Sequence, residues 1–191
     1  METLPLAFAN GWASGISAYA VVLVAGIVGR LGWADTPELL QRTDILVAAG
    51  ALVAVEFVAD KIPYLDSVWD GVHTVVRPLI AAGVGALIAE DAGSTVTGLA
   101  AAGTAGIALL SHLSKSGIRL AVNTSPEPAT NVGVSSAEDV TVAGVALLAW
   151  QYPWVAAVIA AVLLVLGVSA VAYLFTRVRR GWKRLGARLG M

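Results

Sequence analysis

The stretch VEFVADKIPYLDSVWDGVHTVVRP carries the densest group of ionisable side chains in this apolar sequence. If it is helical, four of them fall at i, i+4, i+7 and i+11 on one stripe: Asp66, Asp70, His73 and Arg77. Glu56 and Asp60 form a second i, i+4 pair just upstream. Ionisable residues inside a membrane are costly and mark ion or proton pathways. The spacing therefore predicts an ion or proton site.

Three interpretations of this stripe remain open at the level of sequence. In the first, the carboxylates and His73 hold a cation or proton, with Arg77 as internal counter-charge. In the second, the charges only hold helices in register, as pairs of Arg77 with Asp70 or Asp66, and of Glu56 and Asp60 with Lys61 or Arg119. In the third, residues 62–73 lie flat on the membrane as an amphipathic segment.

A second group of polar side chains lies in SHLSKSGIRLAVNTSPEP. His112, Lys115 and Arg119 share a helical stripe, and Ser116 adds a hydroxyl group. Paired cations with a serine predict an anion site. The alternative is that both cations end a span and extend to the cytoplasmic surface. His112 lies about one turn deeper in the predicted span than Lys115. It is either a proton carrier or a structural hydrogen-bonding group.

Glu138 and Asp139 are predicted to open the fifth span, where acids complement the helix dipole. The predicted topology places both acids on the same side of the membrane as the acidic stripe of residues 56–77 and the basic stripe of residues 112–119. All of these side chains could then form one polar vestibule. The sequence has no HExxH, P-loop or GxSxG motif. We therefore predict no catalytic residue, no metal and no cofactor.

The composition indicates whether the helices that carry these residues lie in water or in lipid. Of 191 residues, 58% are hydrophobic and 13% charged, and the mean hydropathy is +0.80. A soluble domain is about 25% charged, so we predict an all-α, polytopic integral membrane protein surrounded by lipid. The net charge of −1 does not indicate a nucleic-acid partner.

About six transmembrane helices are predicted, each needing about 20 apolar residues. They cover residues 11–29, 45–59, 66–89, 95–120, 140–150 and 154–175, and residues 4–12 form an interfacial or re-entrant lead-in. Residues 123–139 are predicted to be a loop. Residues 1–176 then form one transmembrane domain and 177–191 a basic tail. The sequence also permits a three-plus-three inverted repeat.

The basic residues predict the orientation. The tail TRVRRGWKRLGARLG holds six of the twelve Lys and Arg residues and no acid, which places it in the cytoplasm. An even number of spans then places the N-terminus inside as well. We expect a multi-pass protein of a bacterial inner membrane.

Two strings, LPLAFANGWASGISAYAVVLVAGIVGR and VEFVADKIPYLDSVWDGVHTVVRP, resemble the bacterial membrane proteins grouped as domain of unknown function 4126. The resemblance covers roughly residues 4–165 and implies a small polytopic membrane protein. A shorter string, SKSGIR, is similar to a serine-arginine-serine-glycine stretch of undecaprenyl-pyrophosphate phosphatases, with Lys115 in place of the arginine.

These observations favour a small transporter or channel, with a small ion or anionic solute as cargo and a homodimer as the expected assembly. A polyprenyl- or lipid-phosphate-handling enzyme or flippase is the alternative, with Lys115 and Arg119 on the phosphate. A structural membrane subunit is the third interpretation.

Overall fold

The computed structural model describes residues 2–62, 64–123 and 128–189, and within them the chain forms six α-helices. They are α1 (Thr3–Arg30), α2 (Thr43–Ala59), α3 (Leu65–Ile88), α4 (Ser94–Asn123), α5 (Pro128–Gln151) and α6 (Pro153–Leu189). Short 3₁₀ turns, Glu38–Gln41 and Glu90–Ala92, lie in the α1–α2 and α3–α4 connections. By length and composition, α1, α3, α4, α5 and α6 could each cross a membrane, and α2, with 17 residues, is only slightly shorter. The prediction of an all-α polytopic protein is confirmed.

Helix α1 does not run straight. Ser17 leaves the helical region, at φ −148° and ψ 98°. Leu6 packs against the buried group that contains Val28 and Trp150, whereas a continuous helix would separate Leu6 from Val28 by about 33 Å. Helix α1 is therefore a re-entrant hairpin, and its two limbs, residues 3–16 and 18–30, reach the same end of the bundle.

Small residues let this hairpin sit at the centre of the bundle, in contact with all five other helices. A Cβ added at Gly11 would lie 2.9 Å from the carbonyl oxygen of Thr104 on α4. A Cβ at Gly15 would overlap the carbonyl oxygen of Ala108, one turn further along α4. The first limb therefore runs in close backbone contact with α4, as small residues permit between membrane helices.

The two ends of the bundle can be named by a residue that each contains. Leu6, the 3₁₀ turns and Trp150 meet at the Trp150 end, where they line one cavity. The opposite, Arg119 end holds the C-terminal part of α4 and the start of α3. Since Val171 of α6 packs at Gly117 of α4, the end of α6 also lies there.

This path corrects the predicted topology. The sequence-based prediction counted residues 11–29 as one crossing, because apolar residues continue on both sides of Ser17. With α1 folded back, the two termini lie at opposite ends of the bundle rather than on one side. The predicted lead-in, residues 4–12, belongs to the first limb of the hairpin.

The predicted loop at 123–139 is wrong from residue 128 onwards, and so is the short fifth span at 140–150, because α5 begins at Pro128; residues 124–127 of that loop lie outside the described residues. Proline is tolerated in the first turn of a helix, where its missing N–H costs no hydrogen bond. The polar residues Asn131 and Ser135 then face the interior and are buried. Helix α6 continues beyond the predicted end at residue 175 as far as Leu189.

Apolar residues fill the half of the bundle towards the Trp150 end. A buried core forms around the hairpin from small and branched side chains of four helices, including Val21, Val84, Val142 and Ala160. Apolar residues also cover the outside, with Leu79 66% and Leu99 70% exposed. An apolar exterior of this kind is compatible with surrounding lipid. The polar groups of the spans lie in the interior, where they avoid contact with lipid.

Candidate functional site

Arg77 lies near the middle of α3 and is completely buried. Its Nη2 donates to Oε1 of Glu56 at 2.7 Å, and its Nη1 donates to Oδ1 of Asp70 at 3.0 Å. One guanidinium group thus joins a carboxylate of α2 to a carboxylate of its own helix. Charge-assisted bonds of this kind are the strongest hydrogen bonds in proteins.

His112 of α4 completes the environment of Arg77. Nη1 of Arg77 lies 2.7 Å from Nδ1 of His112, and Nε2 of His112 lies 3.1 Å from the carbonyl oxygen of Asp70. An arginine only donates and a carbonyl only accepts. His112 is therefore the neutral tautomer that carries its proton on Nε2.

Lys115 lies one turn further along α4 and is only 4% exposed. Its Nζ donates to Oδ2 of Asp60 at 2.6 Å and to the carbonyl oxygen of Ile16 at 3.3 Å. It lies 4.0 Å from Oε2 of Glu138 on α5. Lys115 therefore turns into the bundle and does not extend to the membrane surface.

Arg119 links three elements at the Arg119 end. It contacts Oδ1 of Asp66 at 3.1 Å, the backbone carbonyl of Asp60, and the carbonyl oxygen of Asn131 at 3.2 Å. Ser116 donates to the second oxygen of Asp70 at 2.9 Å. Each of the three residues predicted to bind an anion thus already contacts a carboxylate of the protein.

The break in α1 lies against these charges. The carbonyl oxygens of Gly15 and Ile16, at the end of the first limb, accept from Arg77 and Lys115. Ser17 caps the second limb, because its Oγ accepts from the N–H of Ala20 at 3.3 Å. The same hydroxyl group donates to Glu56. Cations thus meet the negative end of one half-helix, and a carboxylate meets the positive end of the other.

We call this assembly the charge cluster, and it contains Glu56, Asp60, Asp66, Asp70, Arg77, His112, Lys115 and Arg119. All eight residues are at most 4% exposed. The predicted stripe on α3 therefore faces the interior, which contradicts the interpretation of residues 62–73 as a surface segment. Of the predicted pairs, that of Arg77 with Asp70 is present, whereas the side chain of Glu56 pairs with Arg77 and that of Asp60 with Lys115.

His73 belongs to the same stripe but has its own environment. Its Nδ1 lies 2.7 Å from the carbonyl oxygen of Trp69, so Nδ1 carries a proton. Its Nε2 lies 2.9 Å from the hydroxyl group of Tyr19, and its ring stacks on Trp69. Tyr19 belongs to the second limb of α1, so His73 links α3 to the hairpin.

Glu138 and Asp139 do not lie at a helix N-terminus, which corrects their predicted role. They are inside α5, because that helix begins at Pro128. Asp139 pairs with Lys61 at 3.2 Å, and Lys61 also donates to Ser135. The convergence of the acidic and basic groups that the sequence predicted is nevertheless present, since Glu138 lies beside Lys115.

The family model described as "Domain of unknown function (DUF4126)" matches residues 4–172. The chain belongs to this family. No curated protein matches it significantly, and neither does any solved structure. Membership confirms the resemblance found in the sequence and assigns no activity.

In this DUF4126 protein, three cavities reach the buried charges. One of about 430 Å³ reaches Lys115 and Glu138. One of about 240 Å³ is lined by Asp66, Asp70 and Arg119, and one of about 180 Å³ is lined by Glu56 and Asp139. Across the described residues, no group of three or more His, Cys, Asp or Glu side chains is placed to hold a metal ion.

Sequence reasoning missed several polar residues of the site because none of them is charged. Ser17 and Tyr19 lie on α1, Thr74 contacts His112, and Asn131 and Ser135 lie on α5. Serine and tyrosine at positions 17 and 19 interrupt an apolar run in GISAYAVV. A polar pair at the centre of a predicted span is the signal that could have located the break.

Proposed function

We propose that this DUF4126 protein is a small transporter or channel in which the charge cluster lies on the path of a proton or monovalent cation. The observation that carries the proposal is the break of α1 at Ser17, whose two half-helix ends meet Arg77, Lys115 and Glu56. Transporters commonly build ion sites from discontinuous helices whose half-helix ends point at the cargo. A purely structural subunit does not need such a break.

The balance of charge favours a cation over an anion. The charge cluster contains four carboxylates, from Glu56, Asp60, Asp66 and Asp70, but three cations, from Arg77, Lys115 and Arg119. His112 is neutral by its hydrogen bonds. One further positive charge would therefore neutralise the buried group, whereas an added anion would need a protein carboxylate to move away.

The same balance weighs against a lipid-phosphate enzyme. Lys115 and Arg119, which would hold the phosphate, are paired with Asp60 and Asp66. Binding a phosphate would break both pairs and bring it close to four carboxylates. We therefore propose no catalytic role for this site.

For the orientation, we propose that the Arg119 end faces the cytoplasm, because Arg177, Arg179 and Arg180 lie on the part of α6 that extends there. The Trp150 end carries Asp35, Glu38, Glu90 and Asp91 around one cavity. This distribution follows the positive-inside rule. The N-terminus would then lie outside, and a bacterial inner membrane and a homodimer remain part of the proposal.

Flux across proteoliposomes tests the proposal. Proton flux is followed with an entrapped pH dye, and sodium and potassium fluxes with isotopes, under an imposed membrane potential. We expect Glu56→Gln and Asp70→Asn to lower the flux at least about tenfold. Asp91→Asn, at an exposed position, is the matched control. Wild-type flux equal to that of empty vesicles for all three cations, or unchanged flux in both site variants, would refute the proposal.

A further inference from the structure

The cavity of about 430 Å³ lies between the first limb of α1 and helices α4, α5 and α6. Its walls are mainly apolar and include Trp12, Ile16, Ile118, Leu163, Leu164 and Leu166. Leu166 is 60% exposed on the outer face of α6, so the cavity extends to the lipid-facing surface. Its volume lies in the range of about 300–1,000 Å³ that is usual for small-ligand sites.

Two polar groups at this cavity have unused hydrogen-bonding capacity. The ammonium group of Lys115 carries three N–H donors, and its two hydrogen bonds go to Asp60 and Ile16. Glu138 lies 4.0 Å away, too far for a hydrogen bond. Oε2 of Glu138 is buried and has no hydrogen-bond partner among the described residues. A free donor and a free acceptor thus lie side by side in an apolar cavity.

A charged head group does not satisfy both atoms. A carboxylate or phosphate accepts from Lys115 but meets the carboxylates of Glu138 and Asp60. An ammonium group donates to Glu138 but meets the ammonium group of Lys115. A hydroxyl group accepts from Lys115 and donates to Glu138 without adding charge. Since buried polar groups are normally hydrogen-bonded, this arrangement favours a neutral head group that both accepts and donates, and a hydroxyl group is the smallest of these.

We propose that this cavity binds a long-chain alcohol from the bilayer. Its hydroxyl group bridges Lys115 and Glu138, and its chain lies between α4 and α6 against Leu163 and Leu166. The site shares Lys115 with the charge cluster, but the proposal does not rest on the proposed cation path, because the cavity would bind the alcohol equally in a protein that moves no ion.

A competition experiment tests the head group. A photoreactive diazirine derivative of dodecanol is crosslinked to the full-length protein in lipid nanodiscs, and the attachment sites are read by mass spectrometry. We expect saturable labelling of the walls of the cavity on α4 and α6. Dodecanol should compete at least about tenfold better than dodecylamine or dodecanoate, a difference of about 1.4 kcal/mol. Equal competition by all three would mean that the cavity is filled by unselected lipid chains, and would overturn the proposal.

Two variants separate the head group from the chain. Glu138→Ala should remove the preference for the alcohol while leaving the attachment sites unchanged. Gly167→Leu should lower all labelling, because its side chain starts 3.2 Å from Cβ of Ser114 at the cavity wall. Val165→Leu, on the exposed face of α6, is the matched control. If Gly167→Leu does not fold, Ala170→Leu at the same wall replaces it. Undiminished labelling in a folded wall variant would place the alcohol elsewhere.

Discussion

Nη1 of Arg77 lies 2.7 Å from Nδ1 of His112, so the imidazole ring accepts a hydrogen bond from a group that can never accept one in return. The ring is also fully buried. A neutral side chain with an acceptor is therefore required at position 112.

This requirement predicts opposite outcomes for two substitutions. His112→Gln keeps a neutral acceptor and should retain the fold. His112→Leu is neutral but offers no acceptor to Nη1 of Arg77, and should lower the free energy of unfolding by about 1–3 kcal/mol. The measurement is the denaturation midpoint in detergent. In ¹⁵N NMR of the wild-type protein, Nδ1 of His112 should give the resonance of an unprotonated nitrogen, and a protonated Nδ1 would contradict the assignment.

The ion pair between Glu56 and Arg77 should show strong coupling, because its side chains are 4% and 0% exposed. Arg77→Met leaves two buried carboxylates without their cation and should cost about 3–5 kcal/mol. The double variant Glu56→Gln/Arg77→Met should recover part of that loss, because it removes an uncompensated charge. Denaturation of the four proteins gives the coupling energy.

The exposed pair of Arg42 and Asp44 provides the control for this cycle, with side chains 59% and 63% exposed. Arg42→Met should leave the midpoint almost unchanged, since exposed pairs contribute little. Additive effects in the Glu56–Arg77 cycle would show that these two groups do not interact in the folded protein.

Sequence periodicity located the buried stripe on α3 because charged residues are rare in an apolar chain and their spacing is visible. Asp66, Asp70 and Arg77 could therefore be predicted as one face. Their partners could not, because pairing depends on how α2, α4 and α5 pack around α3. Lys115 could equally have extended to the surface, and only the hairpin of α1 supplies the carbonyl of Ile16 that helps to hold it inside.

The fold of α1 could not be predicted from hydropathy. Apolar residues continue on both sides of Ser17, and because Asn10 and Ser14 also lie in the first limb, one more small polar residue does not stand out. The hairpin is stabilised by contacts between residues that are distant in sequence. These are the hydrogen bond from Ser17 to Glu56 and the close packing of Gly15 against α4. The start of α5 was missed for the same reason, because Asn131 and Ser135 look like loop residues until their buried partners are known.

Gly15 should be the glycine in α1 least tolerant of a side chain directed at α4. A Cβ there would lie 2.6 Å from Cβ of Ser111 and 2.9 Å from the amide nitrogen of His112. Gly15→Ala should therefore destabilise the fold by about 1–3 kcal/mol, as overpacking does. At Gly106 a Cβ would meet nothing within 4 Å, so Gly106→Ala should be neutral or stabilise by about 0.5–1 kcal/mol. A similar shift of the denaturation midpoint in both variants would mean that the first limb does not pack on α4.

Ser17 should matter through both of its hydrogen bonds. Ser17→Ala removes the cap of the second limb and leaves Glu56 with one fewer donor. We expect a loss of about 0.5–2 kcal/mol from the cap alone, together with reduced cation flux. Ser169→Ala on the exposed face of α6 is the control and should change neither quantity. A variant at Ser17 with wild-type stability and flux would contradict the role of the break.

The path of α1 predicts which positions can be labelled from the same side of the membrane. The sequence contains no cysteine, so single cysteines can be placed at Glu2, Asp91 and Arg177, all of them exposed. If α1 is re-entrant, a membrane-impermeant maleimide added to sealed vesicles should label Glu2→Cys and Asp91→Cys together. It should label Arg177→Cys only in vesicles of the opposite orientation or after permeabilisation. A continuous α1 crossing would instead make Glu2→Cys behave like Arg177→Cys, because six crossings return the chain to its starting side. Labelling of that kind would refute the hairpin, and with it the meeting of the half-helix ends at the charge cluster on which the proposed cation path depends.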